Sequence, residues 1–287
     1  MDLLTNFIAA REIRELAKAL NLKPSKKLGQ NFVIDPNSLE KIIRLAELDP
    51  DDCVVEVGPG LGSLTIGLLE RVKKLYCVEI DPRLAKQLPI TLSEQSSIAK
   101  LEVISKDFLD VTNDDFELKP NALVANLPYN LSVPIILHAL LNIPTITKLL
   151  VMVQSEVGER ICAKANSKVY GIPSVKIQWL AQVRVVSDIS RKVFWPEPNV
   201  DSALVEIKRK PDINFQNQKI FFKVVESAFS QRRKMLKSTL KGLGLKDLQL
   251  KELFEKTSIS QQMRAEQLSV ADYQRISEQV ALILDRS

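Results

Sequence analysis

Asn126-Leu127-Pro128-Tyr129 cuts short an apolar run that begins at Ala122. An amide, a proline and a phenol ring at a strand end could together handle a flat, amine-bearing molecule. Proline restricts the residue before it to extended conformations, so the Leu127 carbonyl is aimed rigidly outward. The Asn126 side-chain oxygen is a second acceptor beside it. Two acceptors take both hydrogens of an exocyclic amine and turn its lone pair towards an electrophile. Such a nitrogen is a poor nucleophile because its lone pair delocalises into the ring. Acceptors that favour a tetrahedral nitrogen restore nucleophilicity without a strong base. Tyr129 adds a face for the ring to stack on, worth roughly 1–3 kcal/mol.

The electrophile would be supplied upstream. In "CVVEVGPGLGSLT", Gly58, Gly60 and Gly62 lie between a strand and a helix, where glycine permits a tight turn and close approach to a ligand. The spacing is G-x-G-x-G, with Ser63 where a dinucleotide fingerprint needs its third glycine. The next strand ends in Glu79, about twenty residues on, where a carboxylate accepts the hydroxyls of a ribose. Asp107, in "ISKDFLD", follows the third strand as an acceptor for an adenine amino group. No lysine-bearing phosphate loop accompanies these residues. The spacing therefore predicts a ligand with ribose and adenine but no phosphates, and S-adenosylmethionine fits that description.

These residues need a sheet whose strand ends converge on one crevice. Short apolar runs ("CVVEVG", "KLYCVEI", "LEVIS", "ALVAN", "LLVMVQ") alternate with helix-length segments, the pattern of a parallel sheet covered by helices. "VKIQWLAQVRVVSDI" and "SALVEIKRK" alternate and read as an antiparallel pair at the sheet edge. Beyond Lys210-Pro211 only helical patterns remain. The reading is an α/β chain: an N-terminal helix in residues 1–24, a Rossmann-like domain over 25–210, and a small all-helical domain over 211–287.

Composition sets the frame. Forty Lys+Arg against 35 Asp+Glu give a net charge of +5, which permits an anionic partner without demanding one. Cys53, Cys77 and Cys162 lack metal-ligand spacing, and a single histidine, His138, sits in a helical pattern, so no metal is expected. No stretch has the length and apolarity of a membrane span or signal peptide, which predicts a cytoplasmic protein.

"GQNFVID", "VVEVGPGLGSLT", "VEIDPRLA", "KDFLD", "NLPYN", "NSKVYGIPSV", "FWPEPNVDSALV" and "SQRRKMLKSTL" follow one another in the order seen in the KsgA/Dim1 family of ribosomal RNA adenine N6-dimethyltransferases, which the chain resembles over about residues 25 to 240. The resemblance implies a class I methyltransferase fold and dimethylation of two adjacent adenines near the 3′ end of small-subunit rRNA, within a pre-ribosomal particle and by a monomer. It implies that Asn31, Val33, Gly58, Glu79, Asp107 and Asn126 hold the cofactor, and the glycine turn adds Gly60 to that set. Position 33 is more often leucine in that motif. It further implies that Asn126, Leu127, Pro128 and Tyr129 receive the adenine, with Phe194 as a second stacking ring. Lys26 and Lys27 in the N-terminal loop, and Arg232, Arg233, Lys234 and Lys237 in the helical domain, are candidates for gripping RNA phosphates. Two alternatives stay open: a large-subunit rRNA methylase of the antibiotic-resistance type, and a non-catalytic assembly or transcription factor on the same fold.

Overall fold

The computed structural model describes residues 7–22 and 31–285; Lys26 and Lys27 lie outside the described residues. The apolar runs become strands because they are buried on both faces: Cys53–Val57 (β2) is buried at every position, and so is Ala122–Ala125. In chain order the elements are α1 (Ala10–Ala19), β1 (Phe32–Val33), α2 (Pro36–Leu45), β2, α3 (Thr65–Leu69), β3 (Lys74–Glu79), α4 (Pro82–Thr91), β4 (Leu101–Ser105), β5 (Ala122–Asn126), α5 (Ser132–Asn142), β6 (Lys148–Gln154) and α6 (Ser155–Cys162). There follow α7 (Ile172–Leu180), β7 (Ala181–Ile189), β8 (Phe194–Trp195), β9 (Ser202–Arg209), α8 (Gln218–Phe229), α9 (Leu236–Thr239), α10 (Asp247–Thr257) and α11 (Val270–Leu284).

Among the described residues the main sheet has seven strands in the order β4-β3-β2-β5-β6-β9-β7. Strands β4 through β6 are parallel, and β9 returns antiparallel to β6, with Gln154 opposite Ser202. The order reverses between β2 and β5, the kind of switch point at which ligands bind beyond the carboxyl ends of the strands. A two-stranded sheet pairs β1 with β8, setting Phe32 opposite Trp195 and Val33 opposite Phe194.

The helix starts follow local chemistry. Asp35 caps α2 by accepting from the Ser38 N–H at 2.8 Å, and Asp81 caps α4 by accepting from the Arg83 N–H at 3.0 Å. A proline at the first helical position follows each cap, where its missing N–H costs no hydrogen bond. His138 is a packing residue: its Nε2 lies 2.7 Å from the Val111 carbonyl and its ring is edge-on to Phe108.

The sequence reading of "VKIQWL" as strand is corrected here. These residues complete α7, which begins at Ile172 after Gly171 with Pro173 in its first turn. The helix is buried almost all round, including Val175, Lys176, Ile177, Trp179 and Leu180, so it shows no helical stripe and mimics a buried strand. Only the second half of that segment is strand β7, which neighbours β9 at the sheet edge; there Arg184 Nε meets Glu206 at 2.6 Å.

The chain forms two compact units. One comprises residues 1–158 and 184–209, the other 159–183 and 210–287. Residues 159–183, which the sequence groups with the sheet, thus belong with the helices. The reason is aromatic: Trp179 stacks on Phe221 at 4.5 Å and meets Phe222 and Phe215 edge-on, while Tyr170 packs against Phe229. Each such ring pair is worth about 0.5–1.5 kcal/mol beyond the area it buries. Lys176, 7% exposed, lies over the Phe222 ring and pairs with Glu226 at 2.5 Å.

Candidate active site

The site occupies the first unit, where three strand ends continue the ladder one residue into their loops. The N–H of Gly58 donates to the Val78 carbonyl, that of Lys106 to Glu79, and that of Leu127 to Met152. These bonds fix the roots of the glycine turn, the Asp107 loop and the Asn126-Tyr129 turn. A cavity of about 900 Å³, its open mouth included, lies among them. Asn31, Val33, Gly58, Gly60, Glu79, Asp107, Asn126 and Pro128 all line it, so the structure brings together residues that are up to 97 positions apart in the chain (from Asn31 to Pro128).

Gly58, Gly60 and Gly62 all adopt positive φ, at 68°, 59° and 91°. At Gly58 an added Cβ would meet nothing within 4 Å, so bare backbone faces the cavity. At Gly60 it would come within 2.7 Å of the Phe32 ring, so the turn is closed from above by a side chain of β1. Glu79 is 5% exposed. One of its oxygens accepts from the Gly60 N–H at 3.1 Å and the other from the Asp81 N–H at 3.0 Å. Burial pushes its carboxyl above the usual carboxylate range while these N–H groups pull it back. Each oxygen retains a lone pair, and the two N–H bonds set where those point. Asp107 is fixed in the same way: Oδ1 accepts from the Leu109 N–H at 2.9 Å, which leaves Oδ2 as the acceptor beside the cavity. Ile80, 50% exposed, also lines the cavity.

Asn126 stands at the cavity's other side. Its Nδ2 donates to the Asn31 carbonyl at 2.8 Å. Only the amide's nitrogen can serve a carbonyl, so this bond settles which way the side chain is turned and leaves Oδ1 as an acceptor. Pro128 and Tyr129 follow in a turn closed by the Leu131 N–H on the Pro128 carbonyl, 3.0 Å. Tyr129 is half-buried, and its hydroxyl meets Ser202 Oγ at 2.9 Å. Ser202 is fully buried at the start of β9, so it anchors the far end of the ring. Burial raises the Tyr129 phenol above its ordinary value, and Ser202 opposes that shift. The leucine of the turn is 1% exposed, a hydrophobic peg beneath the Leu127 carbonyl.

Phe194 stands apart from the sequence expectation. Strand alternation sends Phe32 and Trp195 to one side of the small sheet, where their rings stack 6.2 Å apart, and Val33 and Phe194 to the other. Phe194 is 3% exposed, packs in the core with Ile189 and Leu204, and does not line the cavity. Two contributors escaped sequence reading: Ser202, whose "DSALV" context looks like any strand start, and Phe32, whose role depends on the close approach of Gly60.

The described residues contain no group of three or more His, Cys, Asp or Glu side chains suited to a metal ion. In the second unit, Arg232, Arg233, Lys234 and Lys237 are exposed around the turn between α8 and α9. Arg232 donates to the Lys168 carbonyl, which ties this turn to the loop before α7.

Comparison with known proteins agrees with the geometry. The ribosomal RNA adenine dimethylase family profile matches residues 21–282. Ribosomal RNA small subunit methyltransferase A of Corynebacterium efficiens is 47% identical over 272 residues, covering 93% of this chain and 94% of that protein. The protein of the same name from Thermobifida fusca is 45% identical over 270 residues, covering 93% and 94%. Among solved structures, a dimethyladenosine transferase from Plasmodium falciparum superposes with a TM-score of 0.73 at 24% identity, covering 84% of this chain and 94% of that one. The 23S rRNA methyltransferase ErmE gives 0.66 at 25% identity, covering 88% and 100%. A family profile that spans nearly the whole chain, with relatives at 45–47% identity over more than nine-tenths of it, leaves one assignment: the chain belongs to the ribosomal RNA adenine dimethylase family.

Proposed function

We infer that the protein transfers methyl groups from S-adenosylmethionine to N6 of two adjacent adenines near the 3′ end of small-subunit rRNA. The observation that carries this reading is the Asn126 amide. Its nitrogen is held by the Asn31 carbonyl, so its oxygen stays an acceptor beside the cavity that Glu79 and Asp107 also line.

The residues present fit the donor. Glu79 would hold the ribose and Asp107 the adenine amine, with Gly58 offering bare backbone between them and Ile80 an apolar wall. When bound, S-adenosylmethionine supplies a methyl group on a positively charged sulfur, which takes back the bonding electron pair as the methyl leaves. The protein's part is to present the amine. Asn126 Oδ1 and the Leu127 carbonyl accept its two N–H bonds and draw its lone pair out of conjugation. Tyr129, braced by Ser202, supports the base, which must be splayed from its strand to reach the turn. As the N–C bond forms, the nitrogen becomes acidic and loses one proton to solvent, so no strong base is required. One N–H then remains for two acceptors, which suffices to hold the amine for a second transfer.

Relatives at 45–47% identity carry a small-subunit name, which favours the small-subunit target over the large-subunit one. The exposed Arg232, Arg233, Lys234 and Lys237 would grip phosphates of the same RNA. The test is methyl transfer from labelled S-adenosylmethionine to unmethylated small subunits, large subunits and duplex DNA in parallel. Label is expected in small-subunit RNA as dimethyladenosine. Incorporation confined to large-subunit RNA would overturn the assignment.

A further inference from the structure

Strand β4 forms one edge of the main sheet, with β3 as its only neighbour among the described residues. The N–H of Lys106 donates to the Glu79 carbonyl, so Glu102, Ile104 and Lys106 turn their backbone groups towards β3. Alternation then turns the backbone groups of Leu101, Val103 and Ser105 away from the sheet. The Leu101 N–H is taken by the Ile98 carbonyl. Among the described residues the N–H groups of Val103 and Ser105 have no partner.

The same three residues line a groove beside α4, about 830 Å³ with its open mouth included. Pro82, Ala85, Lys86, Pro89 and Ile98 complete it. Pro82, Lys86 and Pro89 are exposed and lie along one flank of the helix. Pro89 stands inside the helix, where proline removes a hydrogen bond and costs about 3 kcal/mol relative to alanine. Its ring is exposed, so burial within the chain offsets little of that cost. Strand edges are commonly blunted by lysine or proline on the strand itself, and the outward residues of β4 carry neither. Free N–H groups and groove-lining side chains on the same residues are what an extended peptide needs to add a strand.

Charge selects the peptide. Lys86 is the one charged residue lining the groove, and among the described residues it has no ion-pair partner; nor has Lys100, just before the strand. The acids nearby are engaged, Glu102 with Lys74 at 2.8 Å and Asp81 with Arg83 at 2.6 Å. A second copy of β4 would bring two Lys86 side chains to one seam, whereas carboxylates would meet Lys86 and Lys100 with opposite charge. We propose that the β4 edge and its groove bind an extended acidic segment of a partner protein, which adds a strand beside β4 with apolar side chains in the groove and carboxylates near Lys86 and Lys100.

Fluorescence anisotropy of a labelled heptapeptide alternating glutamate and valine, titrated with the full chain, tests this. Saturable binding is expected, and the same peptide with lysine for glutamate should bind about fivefold more weakly or worse. Only alternate N–H groups of an added strand face β4. Of two peptides N-methylated at the valines or at the glutamates, one should therefore bind about tenfold more weakly than the other. Val103→Pro removes an N–H that points off the sheet and keeps the ladder to β3, and it should cost about tenfold. Lys86→Glu should weaken the glutamate peptide and favour the lysine one. Neither residue lines the donor cavity, so methyl transfer by both variants should match that of the unmodified protein. Absence of saturable binding, equal affinity of the two N-methylated peptides, or full affinity in both variants would overturn the proposal. A protein dimer that Val103→Pro dissolves would give the edge to a second copy, and displacement of the peptide by oligouridylate would give it to RNA; either overturns the proposal too. If Val103→Pro does not fold, the N-methylated pair on the unmodified protein decides the same point.

Discussion

Two polar regions of this molecule are built in opposite ways. At the strand ends, Glu79, Asp107 and Asn126 are each tied to a backbone group of a neighbouring loop or turn, and Glu79 is almost wholly buried. In the turn after α8, Arg233, Lys234 and Lys237 are exposed, and Arg232 is the one tied back to a carbonyl. A tether gives a lone pair direction, whereas exposure leaves a charge with reach but no direction. The first suits a step in which one nitrogen must face one methyl carbon. The second suits a polyanion whose phosphates need only be near.

The comparison breaks most visibly at Asn126. Asn126→Ala removes a directed acceptor, and transfer should fall by about 10²–10³-fold, the loss typical of one oriented polar group at a reacting centre. RNA retention on filters should change little. If the rate stays near that of the unmodified protein, directed acceptors are not what drives the reaction.

Glu56 sharpens the stability side of the contrast. A carboxyl raised from 4.5 to about 7 by burial binds its proton more tightly in the folded state than in the unfolded state. Folded stability is unaffected below about pH 4.5, falls as pH rises towards 7, and stays lowered above it. Glu56→Gln should therefore stabilise the donor-free protein by about 2–3 kcal/mol at pH 8 and hardly at all at pH 4. Denaturant titrations at the two pH values measure this directly.

The exposed cluster should respond gradually. Neutralising Arg233, Lys234 and Lys237 together should weaken RNA binding about equally for target and unrelated RNA, and lower the salt slope by up to about three. A loss confined to the target sequence would show that the cluster has direction after all. Smallest is Ser202→Ala, which removes one hydrogen bond worth about 1 kcal/mol from the Tyr129 ring. Turnover should drop by up to about tenfold with donor affinity unchanged, and Ser202→Thr should restore part of it.

Much of the strand-end site was legible because its residues sit where periodicity stops: the glycine turn, Glu79, Asp107 and the Asn-Leu-Pro-Tyr turn each end a recognisable apolar run. What escaped reading depends on pairing across long separations. Strands β1 and β8 have two residues each, too short for any pattern, yet their alternation decides that Phe194 faces the core and Trp195 meets Phe32. Ser202 matters through a tyrosine 73 positions away. Helix α7 hid because burial on nearly every side erases its period.

The chain's repeated passage between its two units bears on how the protein could be dissected or recombined. A cut after Arg209 falls at an obvious seam in the sequence, but the segment 159–183 on its near side belongs to the helical unit. A truncated product would keep Trp179 and Tyr170 while discarding Phe221 and Phe229, the rings they pack on. Such a fragment would carry a sticky aromatic face and should aggregate on expression. The helical unit is thus not a cartridge to be swapped at one joint. Exchanging it between relatives requires three joints, one at each end of 159–183 and one before Lys210, made together.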